Sequence, residues 1–159
     1  MIIERLTSRD GERLRAIRLR SLQDAPNAFV TTWDEAAALG SESWVRQLEE
    51  LATFVASAEG ADLGLVRGAI GEQWQDAGYL ISMWVAPEAR RRGIGSALVD
   101  AVVQWARAQG LRRLLLDVAE ANAPAIAFYT REGFVPTGQG GTLPQPRTHI
   151  REIQLGMSL

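Results

Sequence analysis

Trp84-Val-Ala-Pro-Glu-Ala-Arg-Arg-Arg-Gly-Ile-Gly-Ser-Ala-Leu98 sits at a change of hydrophobic period. The apolar run from Tyr79 to Val85 reads as a strand that Pro87 stops, and from Ile94 onward apolar positions recur at helical spacing. Between the two lie Arg90, Arg91, Arg92, Gly93 and Gly95, a cationic turn whose glycines leave the backbone bare where a helix begins. A helix start offers unpaired N–H groups and the positive end of the helix dipole to an anion, and phosphate oxygens are the natural guests. Two glycine-rich phosphate loops fail on residues: no Gly-Lys-Ser/Thr triplet occurs anywhere, and Leu98 stands where a dinucleotide fingerprint needs its third glycine. The competing reading is a solvated basic turn.

The rest of the chain narrows the class. Its 159 residues (17.4 kDa) suit a single domain, 1–159, able to bury a core without metal or disulfide staples. A net charge of -2 and a pI near 5.5 argue against a nucleic-acid partner held by a broad basic face. The absence of cysteine excludes disulfides, thiolate metal sites and a thiol nucleophile, and with one histidine, His149, no metal is expected. There is no basic-then-apolar leader and no apolar run near the roughly 18 residues of a membrane helix, so the expectation is a cytoplasmic protein without a membrane partner.

Taken in order, Met1 to Thr7 reads as a strand, and Ser8 or Asp10 caps a helix with Leu14, Ile17 and Leu22 on its apolar stripe, whose arginines read as a solvated face. The next connection carries Phe29 and Trp33 on irregular backbone, followed by Asp34 and Glu35; such aromatics pin a loop or line a pocket. A second helix runs through Trp44, Leu48 and Leu51, and a hairpin turns at Glu59-Gly60. Gly71 to Ala77, with Trp74, reads as a loop. After the strand and long helix around the arginine turn, Gly110 ends that helix, Arg113 to Val118 suits a central strand, and a short helix runs from Asn122 and Pro124 to Gly133. Phe134 begins another strand, Gly138 to Pro146 reads as a loop, and His149 to Met157 as the final strand.

Val85, Pro87, Arg90, Gly93 and Gly95 resemble the acetyl-CoA signature of the GNAT superfamily of N-acetyltransferases, Arg/Gln-x-x-Gly-x-Gly/Ala after a strand ending in Val-x-Pro. Asn122, Tyr129 and Gly133-Phe134 are similar to the family's second block, and the order β-α-α-β-β-β-α-β-α-β-β resembles its whole fold. The resemblance implies an α/β (α+β) GNAT fold, a central mixed, mostly antiparallel sheet of about seven strands flanked by about four helices. It implies that Arg90, Arg91, Arg92, Gly93, Ile94, Gly95 and Ser96 hold the pyrophosphate of coenzyme A, that the strand at Val85 pairs with the pantetheine arm, and that Asn122 helps bind the cofactor.

The activity implied is transfer of an acetyl group from acetyl-CoA to a primary amine of a small molecule or a protein, by direct attack in a ternary complex. Tyr129 is then the general acid, the Met83 backbone N–H stabilises the thioester oxygen, and Asp117 stands where similar ribosomal-protein N-terminal acetyltransferases carry a base. Structural alternatives stay open: a core tyrosine, an N-cap asparagine and a strand-end charge. Phe29, Trp33 and Glu35, with Asp34, are candidates for the acceptor rim. Expected partners are acetyl-CoA and an amine acceptor, with a homodimer left open. A non-catalytic acyl-CoA-binding module with a protein partner is the alternative function.

Overall fold

The computed structural model describes residues 1–71 and 75–159, so the expectation about Trp74 lies outside the described residues. In chain order the elements are β1 (Ile2–Arg5), α1 (Gly11–Asp24), α2 (Trp33–Ala37), α3 (Ser41–Glu50), β2 (Ala52–Ala58), β3 (Ala61–Ile70), β4 (Ala77–Val85), α4 (Ile94–Ala108), β5 (Arg113–Ala119), α5 (Ala123–Arg131), β6 (Val135–Thr142) and β7 (Arg151–Ser158). The strands form one sheet in the order β1-β2-β3-β4-β5-β7-β6. Only β4 and β5 run parallel; every other neighbouring pair is antiparallel. This is the mixed, mostly antiparallel seven-stranded sheet expected from the sequence.

Parallel neighbours need a long crossover, and α4 supplies it. Ile94, Leu98, Val102 and Ala106 recur along one buried stripe that packs on β2, β3 and β4. The contact is close enough to demand glycine in the sheet: a Cβ on Gly68 would lie 2.4 Å from the Trp105 ring. On β3 the turn from β2 is made by Glu59 (φ 53°) and Gly60 (φ 79°), the left-handed pair that a two-residue hairpin favours. At the far end of α4, Gly110 (φ 77°) terminates the helix in the left-handed conformation expected there.

The structure corrects the sequence reading in three places. Trp33 does not lie on irregular backbone but opens α2, a fifth helix, because Thr32 and Glu35 form a capping pair: the Glu35 N–H donates to Thr32 Oγ1 at 3.2 Å and the Thr32 hydroxyl to the Glu35 carboxylate at 2.9 Å. Gly138 to Thr142 is strand rather than loop. Glycine suits this exposed edge, where a Cβ on Gly140 would meet the Glu152 carbonyl at 2.8 Å, and β7 in turn begins at Arg151 rather than His149. Finally, α1 is not solvated at every arginine, since Arg18 occupies the buried stripe with Leu14, Ile17, Ser21 and Leu22. Among the described residues no helix is long and apolar enough to cross a membrane.

Gly68→Ala should destabilise the protein by about 1–3 kcal/mol through overpacking against Trp105. Urea unfolding would show it as a lower midpoint at unchanged slope, and an unchanged midpoint would mean that α4 is not seated this tightly.

Candidate active site

The pairing of β4 with β5 stops almost as soon as it begins. Ala77, Gly78 and Tyr79 face Arg113, Leu114 and Leu115, after which β4 continues to Val85 against β3 alone and β5 to Ala119 against β7 alone. A cleft therefore opens in the middle of the sheet. On its β4 wall Leu65 faces Trp84 and Arg67 faces Ile81, so Val66 stands opposite both Ser82 and Met83. Ser82 takes up the extra residue with φ 60°, a bulge that releases one residue from the ladder and re-aims its neighbours. Met83, the backbone donor singled out in the sequence, lies at this bulge.

The arginine turn stands at the mouth of the cleft. Gly93 (φ 78°) precedes α4, whose first intrahelical bond is from the Ala97 N–H to the Gly93 carbonyl. The amides of Ile94, Gly95 and Ser96 thus lack intrahelical acceptors, and the first turn has neither a side-chain cap nor an acidic residue. Arg91 and Arg92 are exposed and form no ion pair with a described residue. Arg90 is turned to the protein instead: its Nε donates to the Val85 carbonyl at 3.1 Å and its Nη2 to Asp24 at 2.9 Å. Asp24 also accepts from the Trp84 indole N–H at 2.9 Å, which ties the end of α1 to the cleft wall.

Helix α5 closes the other flank. A Cβ on Gly95 would lie 3.0 Å from the Phe128 ring, and the Ser96 hydroxyl donates to Glu132, so both residues also hold α5 against α4. The Asn122 side chain caps α5 by accepting from the Ala125 N–H at 3.2 Å. Tyr129 is buried, edge-on to Phe128 and Phe134, and that burial pushes its phenol pKa well up. The ring thus stays protonated across the whole physiological range.

On β5, Asp117 pairs with Gln154 of β7, while Glu152 lies diagonally beside it opposite Ala119. Desolvation raises the pKa of Asp117; desolvation and then the Asp117 charge raise that of Glu152, against a lowering by Arg147. Gln154 donates to the Tyr79 hydroxyl at 2.6 Å and accepts from Thr137 at 2.7 Å. Burial and then the Asp117 charge push the Tyr79 phenol up as well. One sheet face thus carries a polar, acidic floor. The sequence singled out Asp117 but missed Glu152 and Gln154, although their alternation along β7 places them on the same side.

A clamp ties the α1–α2 connection to the β6–β7 connection. Arg147, in the β6–β7 connection, donates to the carbonyls of Pro26 (2.9 Å), Phe29 (2.8 Å) and Val30 (2.6 Å). Phe29 is buried under this clamp, whereas Trp33 and Glu35 stand exposed on α2, with Glu35 engaged by Thr32. Among the described residues no group of acidic, histidine or cysteine side chains could hold a metal.

Residues 15–134 match the Acetyltransferase (GNAT) family, and the chain belongs to it. It is 31% identical over 141 residues to streptothricin acetyltransferase of Streptomyces lavendulae, covering 89% of this chain and 75% of that protein. Human N-acetyltransferase 8 is 35% identical over 100 residues, 63% of this chain but 41% of its own length. A GNAT acetyltransferase of Streptococcus pneumoniae superposes with TM-score 0.83 at 25% identity, over 99% of this chain and 98% of that one. A Salmonella typhimurium protein solved with its cofactor acetyl-CoA shares the fold at TM-score 0.79 and 15% identity, over 100% of this chain and 94% of that one.

An acid whose folded pKa is raised stabilises the fold below its unfolded pKa and loses that contribution as pH rises through the folded value. Asp117→Asn should therefore raise the thermal midpoint at pH 7, and the gain should vanish below the ordinary aspartate pKa of about 3.9. A midpoint lowered at pH 7 would show that the carboxylate is held by favourable contacts instead.

Proposed function

We propose that the chain transfers the acetyl group of acetyl-CoA to a primary amine, with the described cleft as the place where thioester and amine meet. The observation that carries this reading is the uncapped start of α4 at the mouth of the β4–β5 opening. Unpaired amides, a helix dipole and two free guanidiniums converge there, and the first turn of α4 itself carries no acidic residue. These residues fit a diphosphate. Arg91, Arg92 and the amides of Gly93, Ile94, Gly95 and Ser96 would hold it, with Arg90 bracing the turn and Asn122 setting the start of α5.

Acetyl-CoA supplies an activated acetyl group on a thioester whose sulfur leaves as a thiolate. The free edge of β4 beyond Ile81, ending at Val85, offers backbone groups along which an extended arm can lie. The Met83 N–H, next to the bulged Ser82, would donate to the carbonyl oxygen as charge develops on it, and a fixed main-chain donor needs no reorganisation to do so. Asp117 accepts the proton of the attacking amine, directly or through water, and its raised pKa makes it a stronger base than an ordinary aspartate. The Tyr129 hydroxyl gives its proton to the departing sulfur. Because burial makes that phenol a weak acid, donation accompanies bond breaking and does not precede it.

Phe29 walls the acceptor side from beneath the Arg147 clamp, and Trp33 and Glu35 rim it from α2. Together these elements act as one domain, 1–159.

Tyr129→Phe should lower turnover by about a hundredfold to ten-thousandfold while acetyl-CoA affinity changes far less, because the ring still packs while the proton is used only in the transition state. Release of free coenzyme A thiol with a panel of amines measures this, and unchanged chemistry-limited turnover would reduce Tyr129 to a packing residue. Asp117→Asn should lose most turnover at low pH, where solvent leaves the amine protonated, and less at high pH. A deficit constant from neutral to alkaline pH would contradict the base assignment.

A further inference from the structure

Two arginines lie inside the fold without a counter-ion among the described residues. Arg18 of α1 is 5% exposed and Arg67 of β3 is 6% exposed. Arg67 donates its Nε to Ser82 Oγ at 2.9 Å and its Nη1 to Gln47 Oε1 at 2.7 Å, both neutral acceptors. The Arg18 guanidinium makes no hydrogen bond to a described residue, while the Arg18 carbonyl accepts from the Ser21 hydroxyl at 2.7 Å. Its guanidinium lies 4.8 Å from the centre of the Phe29 ring, and its Nη1 is sealed from water with no partner. Desolvation pushes Arg18 down to about 10; desolvation and then the charge of Arg18 push Arg67 down to about 9. Both remain cationic at neutral pH, so two like charges persist in a buried place where no carboxylate of the described residues is bonded to either.

Such an arrangement is costly. A buried guanidinium normally takes a carboxylate, and an unsatisfied buried donor forfeits the hydrogen bonds it made to water without replacing them. The fold could have avoided the cost with methionine or leucine, since Arg18 stands on the apolar stripe of α1 and Arg67 in a central strand.

The location suggests what offsets it. Ser82, the residue that Arg67 holds, is the bulge of β4 and precedes Met83, so the cation pair lies immediately behind the acetyl-transfer cleft. Phe29 covers Arg18 from the α1–α2 connection, which Arg147 clamps from the opposite side of the acceptor opening. Asp117 and Glu152 stand beyond β4 on the open part of the sheet.

Resting on the reading of the cleft as an acetyl-transfer site, we propose that Arg18 and Arg67 form a subsite for the carboxylate of the acceptor, and that the acceptor class is a short amine that also carries a carboxylate, an amino acid in the chemical sense. Two guanidiniums with free N–H edges match the two oxygens of a carboxylate. Arg67 sits on the strand next to the cleft wall, a spacing of about 4.8 Å, so the carboxylate and the attacking nitrogen of one small molecule can occupy the subsite and the cleft together.

The test compares amino acids with their carboxamides and with the corresponding decarboxylated amines. Calorimetry in the presence of coenzyme A gives affinities, and thiol release gives kcat/KM. Wild type should prefer the carboxylate form at least tenfold, and in Arg18→Met and Arg67→Met the preference should fall to near one. The thermal midpoint of Arg18→Met should rise, because an unneutralised charge has been replaced by a chain that packs. Arg18→Met carries the test by itself if Arg67→Met does not fold. A wild-type preference near one, or one retained in Arg18→Met, overturns the subsite even if amines are acetylated. Failure of every amine in the panel to be acetylated, with carboxylates still bound preferentially, would instead overturn the transfer reading and leave the subsite standing. If inorganic phosphate raises the wild-type midpoint but not that of Arg18→Met, and carboxylates show no preference, the site takes free anions and the acceptor assignment is wrong.

Discussion

Everything at the site depends on two parallel strands parting after three paired residues. Had β4 and β5 stayed in register beyond Tyr79 and Leu115, their backbone groups would have been consumed in the ladder and the sheet would have no interior opening. The bulge at Ser82 turns β4 away while β3 still supports it, and β7 supports β5 along its full length. Each wall is thus a strand paired on its outer side and free on its inner side. That is an unusual condition for strands in the middle of a sheet, and it is stable here because α4 crosses β2, β3 and β4 tightly enough to require glycine at position 68.

Charge is distributed around the opening in three zones. Exposed cations and bare amides lie at the mouth, carboxylates with raised pKa values on the open floor, and two buried cations behind the β4 wall. Diphosphate, amine and carboxylate are the three chemical groups these zones suit. The floor and the buried pair both carry a stability cost at neutral pH, the usual sign of groups retained for work other than holding the fold.

Much of this was readable from residue order. The arginine turn, the Glu59-Gly60 hairpin, the Asn122 cap and the glycine stop at Gly110 follow from local chemistry that acts within a few residues, and the sequence expectation and the structure coincide there. The short helix at Trp33 was missed although Thr32-x-x-Glu35 is a capping signature, because five residues give too little periodicity to weigh. The second half of β6, from Gly138 to Thr142, reads as loop because glycines signal loops, and only its pairing with β7 shows that one of them is required by close approach. Arg18 was hidden by the habit of reading charge as surface, yet its i+4 spacing from Leu14 and its place beside Ile17 put it on the apolar stripe. The partners of Arg67 could not be read at all, since Ser82 and Gln47 come to it from other elements.

The central claim is that the start of α4 and the bulge in β4 address one ligand. Backbone amide shifts followed by nitrogen-edited NMR during titration with acetyl-CoA test it directly. The account predicts the largest changes at Gly93, Ile94, Gly95 and Ser96 together with Met83, saturating with a single affinity. Changes confined to other surfaces, or a response at the turn that leaves Met83 unmoved at saturation, would contradict it.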